Sequence, residues 1–199
     1  PFKAGSNSLI VTVIDVGQGE SQVIEFPGGH LMVIDAGGFP QSTFDPGESI
    51  VSPFLWSRGY KKIDYLVSTH LHPDHARGLP AVARNFKIKE YFYTENYKAN
   101  ALNQEIEQAL RKKVRKTRIT SGLELRPADN IQVEFLYPDE RARAAFRPGN
   151  DLSAVIRVEW GKISFLFPGD ITSQVESYLA GQQEIKDKLK TTIMKVPHH

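Results

Sequence analysis

The sequence predicts an α/β protein in which two mixed sheets pack face to face with helices outside. Three observations lead there. Short runs rich in β-branched residues alternate with helical segments in both halves of the chain, strands and then a helix, twice over. No linker-like or low-complexity stretch divides the halves, so residues 1–199 read as a single domain. The most buried-looking strand of the first half runs directly into His70-Leu71-His72-Pro73-Asp74-His75, and α/β scaffolds carry their chemistry on such strand-end loops.

Residues 9–16, 21–26 and 31–35 are predicted strands separated by Gly-containing turns, among them Pro27-Gly28-Gly29, and they form an N-terminal meander. Residues 47–56 fit a helix with Ile50, Val51, Phe54 and Leu55 on one side, which requires Pro53 in its first turn. Residues 64–69 are a buried-type strand, 78–85 a helix and 90–94 a strand. Residues 100–113 form an amphipathic helix with Leu102, Ile106, Ala109 and Leu110 inward. In the second half, 131–137, 152–160 and 163–167 are strands, 173–179 is a helix, and 192–196 is a last strand before Pro197-His198-His199. Trp56, Trp160, Tyr91, Phe92 and Tyr93 sit in aliphatic surroundings and read as core rather than as a base-stacking surface.

With 40% hydrophobic and 24% charged residues, the 199-residue chain lies in the ordinary globular range. No run approaches the roughly 18 apolar residues of a membrane-spanning helix, so this stretch is expected to be soluble and not to insert into lipid. It begins at Pro1 rather than Met and stops on His199 inside an apparent motif, the expectation being a piece of a longer protein that lacks its C-terminal end. The absence of Cys excludes disulfides, thiolate-bound zinc and a cysteine nucleophile, and is compatible with a place outside the cytoplasm. A formal net charge of +2 argues for no polyanion by itself. Its distribution says more. Six of the eight residues 111–118 are basic, at the end of the predicted helix, and Arg111, Lys112, Lys113 and Arg115 suit contacts to phosphate. A solvated helix end, where cations are also favoured, is the other reading.

Three imidazoles and a carboxylate within six residues point to a metal site, because neutral imidazole binds divalent transition metals and carboxylate oxygens complete the shell. In extended backbone His70 and His72 leave the same face and can grip one ion. Pro73 then bends the chain, so Asp74 and His75 can address a neighbouring ion, and four ligands can serve two metals. Asp170, in the Gly169-Asp170 turn after a buried-type strand, could bridge two ions or simply cap the helix that follows, a role Thr172 also fits. The glycines of Asp15-Val16-Gly17-Gln18-Gly19 serve either backbone geometry or, with Gln18, contact to a phosphodiester. Asp35, and equally Asp15, could orient a ligand histidine from behind.

These motifs together resemble the metallo-β-lactamase fold, a four-layered αβ/βα sandwich of mainly hydrolytic metalloproteins. Asp15-Val16-Gly17-Gln18-Gly19-Glu20-Ser21, Asp35-Ala36-Gly37-Gly38, Pro53-Phe54-Leu55-Trp56, Asn150-Asp151-Leu152-Ser153, Phe167-Pro168-Gly169-Asp170 and Lys195-Val196-Pro197-His198-His199 resemble, more specifically, the C-terminal domain of the ComEC family of DNA-uptake channel proteins. The resemblance covers nearly the whole chain in order. It implies a nuclease-like domain of a bacterial inner-membrane channel used in natural transformation, placed outside the cytoplasm and degrading the strand that is not imported. Carried over, His70, His72 and Asp170 hold one metal and Asp74, His75, Asp170 and His198 the other, with His199 facing the scissile phosphate. Many members of the wider fold place a further His between the first cluster and the bridging Asp. This chain has none between His75 and His198, so an oxygen from Asn150, Asp151, Ser153 or water fills that place. More oxygen and less nitrogen leaves manganese as plausible as zinc.

The expectation is therefore a two-metal phosphodiesterase acting on DNA, single-stranded by preference, with the metals generating hydroxide and Asp74 accepting a proton. A small-molecule hydrolase of the same fold, cleaving a lactone, thioester or lactam, and a non-catalytic DNA-binding module of the channel are the alternatives.

Overall fold

The computed structural model describes residues 7–95 and 100–197. The chain divides into two compact units, Pro1–Arg118 and Ile119–His199. Among the described residues no helix is long and apolar enough to cross a membrane.

The first unit is built on a six-stranded sheet in the order β1 (Ile10–Val13), β2 (Gln22–Glu25), β3 (Leu31–Ile34), β4 (Lys62–Ser68), β5 (Lys87–Tyr93) and β6 (Arg115–Arg118). The first three strands pair antiparallel, β1 with β2 across residues 14–21 and β2 with β3 across residues 26–30, and β3 to β6 run parallel. Parallel strands need crossovers, and the crossovers supply the helices: α1 (Ser52–Ser57), α2 (Pro73–Ala76), α3 (Leu79–Asn85) and α4 (Ala101–Ala109). One core joins Val23, Leu31 and Val33 of the sheet to Leu55, Leu79, Val82 and Ile106 of the helices, all fully buried. Each such aliphatic side chain contributes roughly 1.5–3 kcal/mol.

Three sequence expectations are corrected in this unit. The helix expected from 47 starts only at Ser52, so that Pro53 does lie in its first turn: Gly47–Val51 is a wide π-type turn, with Ser52 N donating to Gly47 O, and it leads into α1. The looser winding brings the chain to the start of α1, where the missing N–H of Pro53 costs nothing. The 100–113 helix stops at Ala109, because Leu110 turns to extended backbone (φ −69°, ψ 131°). As a result the basic run is not a helix end. Arg111 to Lys113 lie in a connection, and Arg115 begins β6, paired with Glu90 of β5.

The second unit carries a five-stranded sheet in the order β11 (Ile193–Met194), β10 (Ile163–Phe167), β9 (Val155–Trp160), β8 (Ile131–Tyr137) and β7 (Leu123–Ala128), antiparallel except for β10 with β11. Its helices are α5 (Glu140–Ala145) and α6 (Ser173–Gly181), and Leu136, Val155, Leu166, Val175 and Leu179 join them to the sheet. The sequence reading lacks β7 and α5. Strand β7 is a sheet edge whose register shifts between Leu125 and Ala128, which accommodates Pro127. The predicted strand 152–160 starts only at Val155, since Asn150–Leu152 is a 3₁₀ turn.

Candidate metal centre

Strands β3 and β4 end side by side, Ile34 level with Val67, and their continuations build the histidine loop. Beyond β4 come Thr69 and His70. His72 keeps extended backbone (φ −73°, ψ 147°) and precedes α2, whose first turn holds Asp74 and His75. The ring of His70 lies 4.7 Å from that of His72 and 4.2 Å from that of His75, centre to centre. His70 and His75 are buried, whereas His72 is exposed. Three imidazoles therefore converge at one strand end, with Asp74 half-buried beside them.

Asp35 fixes this arrangement from below. Fully buried and in the left-handed backbone region (φ 56°), it accepts from Thr69 N at 2.8 Å and from Thr69 Oγ1 at 2.5 Å. Its Oδ2 lies 2.9 Å from His75 Nδ1. A carboxylate accepts at that distance, so His75 carries its proton on Nδ1 and presents the Nε2 lone pair outward. Thr69 Oγ1, whose O–H donates to Asp35, can accept from His70 Nδ1 at 3.2 Å, which sets His70 in the same tautomer. One carboxylate and one hydroxyl thus orient two imidazoles so that both Nε2 atoms become donors. This is the support that metal-binding histidines require, and the donor set of imidazole nitrogen and carboxylate oxygen fits divalent transition metals.

Thr69 is the residue that sequence reasoning missed. A hydroxyl residue directly before the first His of the cluster does not by itself single it out; its carbonyl accepts from Thr94 Oγ1 at 2.8 Å.

The two glycine-rich turns act on the loop through backbone contact. Glu20 N donates to Asp74 O at 3.0 Å and Ala36 N to His75 O at 2.8 Å. A Cβ on Gly19 would fall 1.6 Å from Asp74 O, and one on Gly38 would fall 2.3 Å from Pro73 O. Glycine is required there because the backbone of the histidine loop occupies the space. Gln18 is exposed on the first turn. Asp15 closes that turn locally by accepting from Gly17 N at 3.0 Å, instead of orienting a histidine.

In the second unit Asp170 is buried, and it follows Gly169, whose φ of 58° allows the sharp turn after β10. Its N–H donates to Ser153 Oγ at 3.0 Å. Helix capping does not account for Asp170, since Thr172 occupies the N-cap position of α6. Thr172 Oγ1 in turn donates to Asp151 Oδ1 at 2.7 Å, and Tyr137 OH donates to Asp151 O. Ser153 and Asp151 are thereby engaged in holding the turn. Asn150 Oδ1 is buried and has no hydrogen-bond partner among the described residues. His198 and His199 lie outside the described residues.

Arg111, Lys112 and Lys113 are not beside the histidines. They precede β6 at the end of the sheet where the parallel strands begin, whereas the histidine loop leaves the end where β4 finishes. Arg115, first in β6, pairs through Nε with Glu90 Oε1 at 3.2 Å.

A family model described as the metallo-β-lactamase superfamily matches residues 14–199. ComE operon protein 3 of Bacillus subtilis (strain 168) is 28% identical over 204 residues, covering 95% of this chain and 25% of that protein. Competence protein ComA of Neisseria gonorrhoeae is 26% identical over 199 residues, covering 100% of this chain and 25% of that protein. The chain thus spans about a quarter of the length of these curated relatives. Among solved structures, a Thermotoga maritima protein of the metallo-β-lactamase type superposes with a TM-score of 0.57 at 13% identity, covering 96% of this chain and 95% of that one. At such identity the likeness is one of fold.

Proposed function

We propose that this chain, which belongs to the metallo-β-lactamase superfamily in a ComEC-like form, is a two-metal phosphodiesterase that cuts DNA, single-stranded by preference, during DNA uptake. The observation that carries the reading is the convergence of His70, His72 and His75 with the Nδ1 atoms of His70 and His75 held by Thr69 and Asp35. Similarity to two competence proteins supports DNA as the substrate.

In this reading residues 1–199 act as one domain. His70, His72 and Asp170 would hold one divalent ion, manganese or zinc, and Asp74, His75, Asp170 and His198 would hold the second. Asn150 Oδ1, the buried oxygen noted above, takes the place of the missing histidine. When bound, the metals polarise the phosphodiester and make water a nucleophile at neutral pH. The chain's own groups do the rest. Asp35 and Thr69 keep the imidazoles aimed, Asp74 accepts the proton released on attack, and Gln18 and His199 contact the phosphate. The parent is a membrane-embedded uptake channel with this portion outside the cytoplasm.

The test is cleavage of a labelled single-stranded oligonucleotide by chelator-stripped protein resupplied with manganese, zinc or magnesium. Cutting with at least one of these metals and none in chelator supports the reading. An inert protein with all three overturns it.

A further inference from the structure

The end of the first sheet opposite the histidine loop carries a second feature. Lys62 of β4 pairs in register with Lys87 of β5, and the connection 111–114 arrives beside them. A groove of about 650 Å³ opens there, its cations being Lys62, Lys87, Lys89, Arg111, Lys112 and Lys113, over Ile88 and Val114. Strand β4 spans seven residues, so at about 3.3 Å per residue the groove lies roughly 20 Å along the strand from the histidines.

The charges of this groove are left largely uncompensated. Its one carboxylate, Asp64, is buried, accepts from Leu31 N at 3.1 Å and Lys62 Nζ at 3.3 Å, and stands 3.3 Å from His30 Nδ1. Lys87, Lys89, Arg111, Lys112 and Lys113 enter no ion pair among the described residues. The contrast lies within a single basic run: Arg115 is paired with Glu90 and Lys116 with Glu107, whereas the three cations just before them face the groove uncompensated. Five like charges around one concavity repel each other unless an external anion occupies it.

We propose that this groove binds the phosphodiester backbone of a single nucleic-acid strand at a place separate from the histidine loop. A recess of this volume admits a short run of flexible strand, whose phosphates can follow its walls. Among the described lining residues there is no Phe, Tyr or Trp, and the one imidazole, His30, stands 3.3 Å from Asp64, so the contacts offered are to phosphate and binding is independent of sequence. A lipid surface fits less well. None of the exposed large apolar side chains among the described residues lines the groove, including Trp56, expected in the core but 48% exposed, and surface-bound elements insert such groups between headgroups. The groove adds a holding site to the hydrolytic reading, and binding there needs no hydrolysis.

The experiment measures anisotropy of a labelled oligothymidylate on the full chain in metal chelator across a salt series. Two variants, Lys87→Gln with Lys89→Gln and Lys112→Gln with Lys113→Gln, each remove two exposed charges from different elements. Each is expected to weaken binding roughly tenfold and to lower the log–log salt slope by about 1.4, at about 0.7 per lost phosphate contact. Such weakening in either folded variant supports the groove. A wild-type chain that does not bind, or two variants that bind with unchanged slope, overturns it. So does binding to phosphatidylglycerol vesicles that falls in the variants while oligonucleotide binding does not. Cleavage is not read, so failure of the nuclease reading leaves this result intact.

Discussion

His75 Nδ1 and Asp35 Oδ2 stand 2.9 Å apart with both side chains fully buried, and this contact joins the end of β3 to the histidine loop that follows β4. It makes the orientation of the His75 imidazole depend on a residue 40 positions earlier. Replacing Asp35 by Asn tolerates the left-handed backbone and keeps the volume, so it isolates the loss of the carboxylate. Metal affinity should fall about 10–100-fold while the fold persists. Competition with a chromogenic chelator reads the affinity. A value unchanged from wild type would remove Asp35 from the centre.

Thr69 extends the same support to His70. Thr69→Val keeps the shape but removes Oγ1, so Asp35 loses one of its donors in a buried place. Stability should drop by about 1–3 kcal/mol in denaturant unfolding, and Thr69→Ser should recover most of it. A serine variant as unstable as the valine variant would assign the loss to packing.

The glycine turns yield a paired comparison. Gly19 and Gly28 share a positive φ, 87° and 80°, but a Cβ at Gly28 meets nothing within 4 Å whereas one at Gly19 overlaps Asp74 O. Gly28→Ala should cost about 1–2 kcal/mol, the backbone strain alone. Gly19→Ala adds the overlap and should cost about 3 kcal/mol or more and loosen metal binding. Thermal unfolding with and without metal separates them, and equal effects would deny the turn its role beneath the loop.

Lys195 supplies a pH dependence. Burial lowers its ammonium to about 8 from the ordinary 10.5. Between those values the folded chain binds fewer protons than the unfolded one, so this group's contribution to stability rises with pH across the window. Below about pH 8 the burial penalty is present in full. Lys195→Met should therefore melt higher than wild type at pH 7, with the difference vanishing towards pH 10.5. A constant difference across that range would contradict the assignment.

What the sequence disclosed and what it hid follow from how local each feature is. His70 to His75 are six consecutive residues after a buried strand, so both the cluster and its place at a strand end were legible. Asp170 was legible as a carboxylate after Gly169. Thr69 was not, because its importance comes from Asp35 on a neighbouring strand. The basic run was misplaced for a similar reason. Helical periodicity continues past Ala109 on paper, but 115–118 are strand because they pair with β5, with Thr117 Oγ1 donating to Glu90 Oε1 at 2.5 Å. Local propensity cannot foresee that partner. The same tertiary pairing set Arg111 to Lys113 at the far end of the sheet from the histidines.

The proposed two-metal reading requires Asp170 to act as a ligand shared by both ions. Elemental analysis of metal-loaded, desalted protein tests this most directly. Two equivalents in the wild-type chain and fewer than one in Asp170→Ala are the predicted result. Retention of two equivalents by the variant would contradict the shared centre.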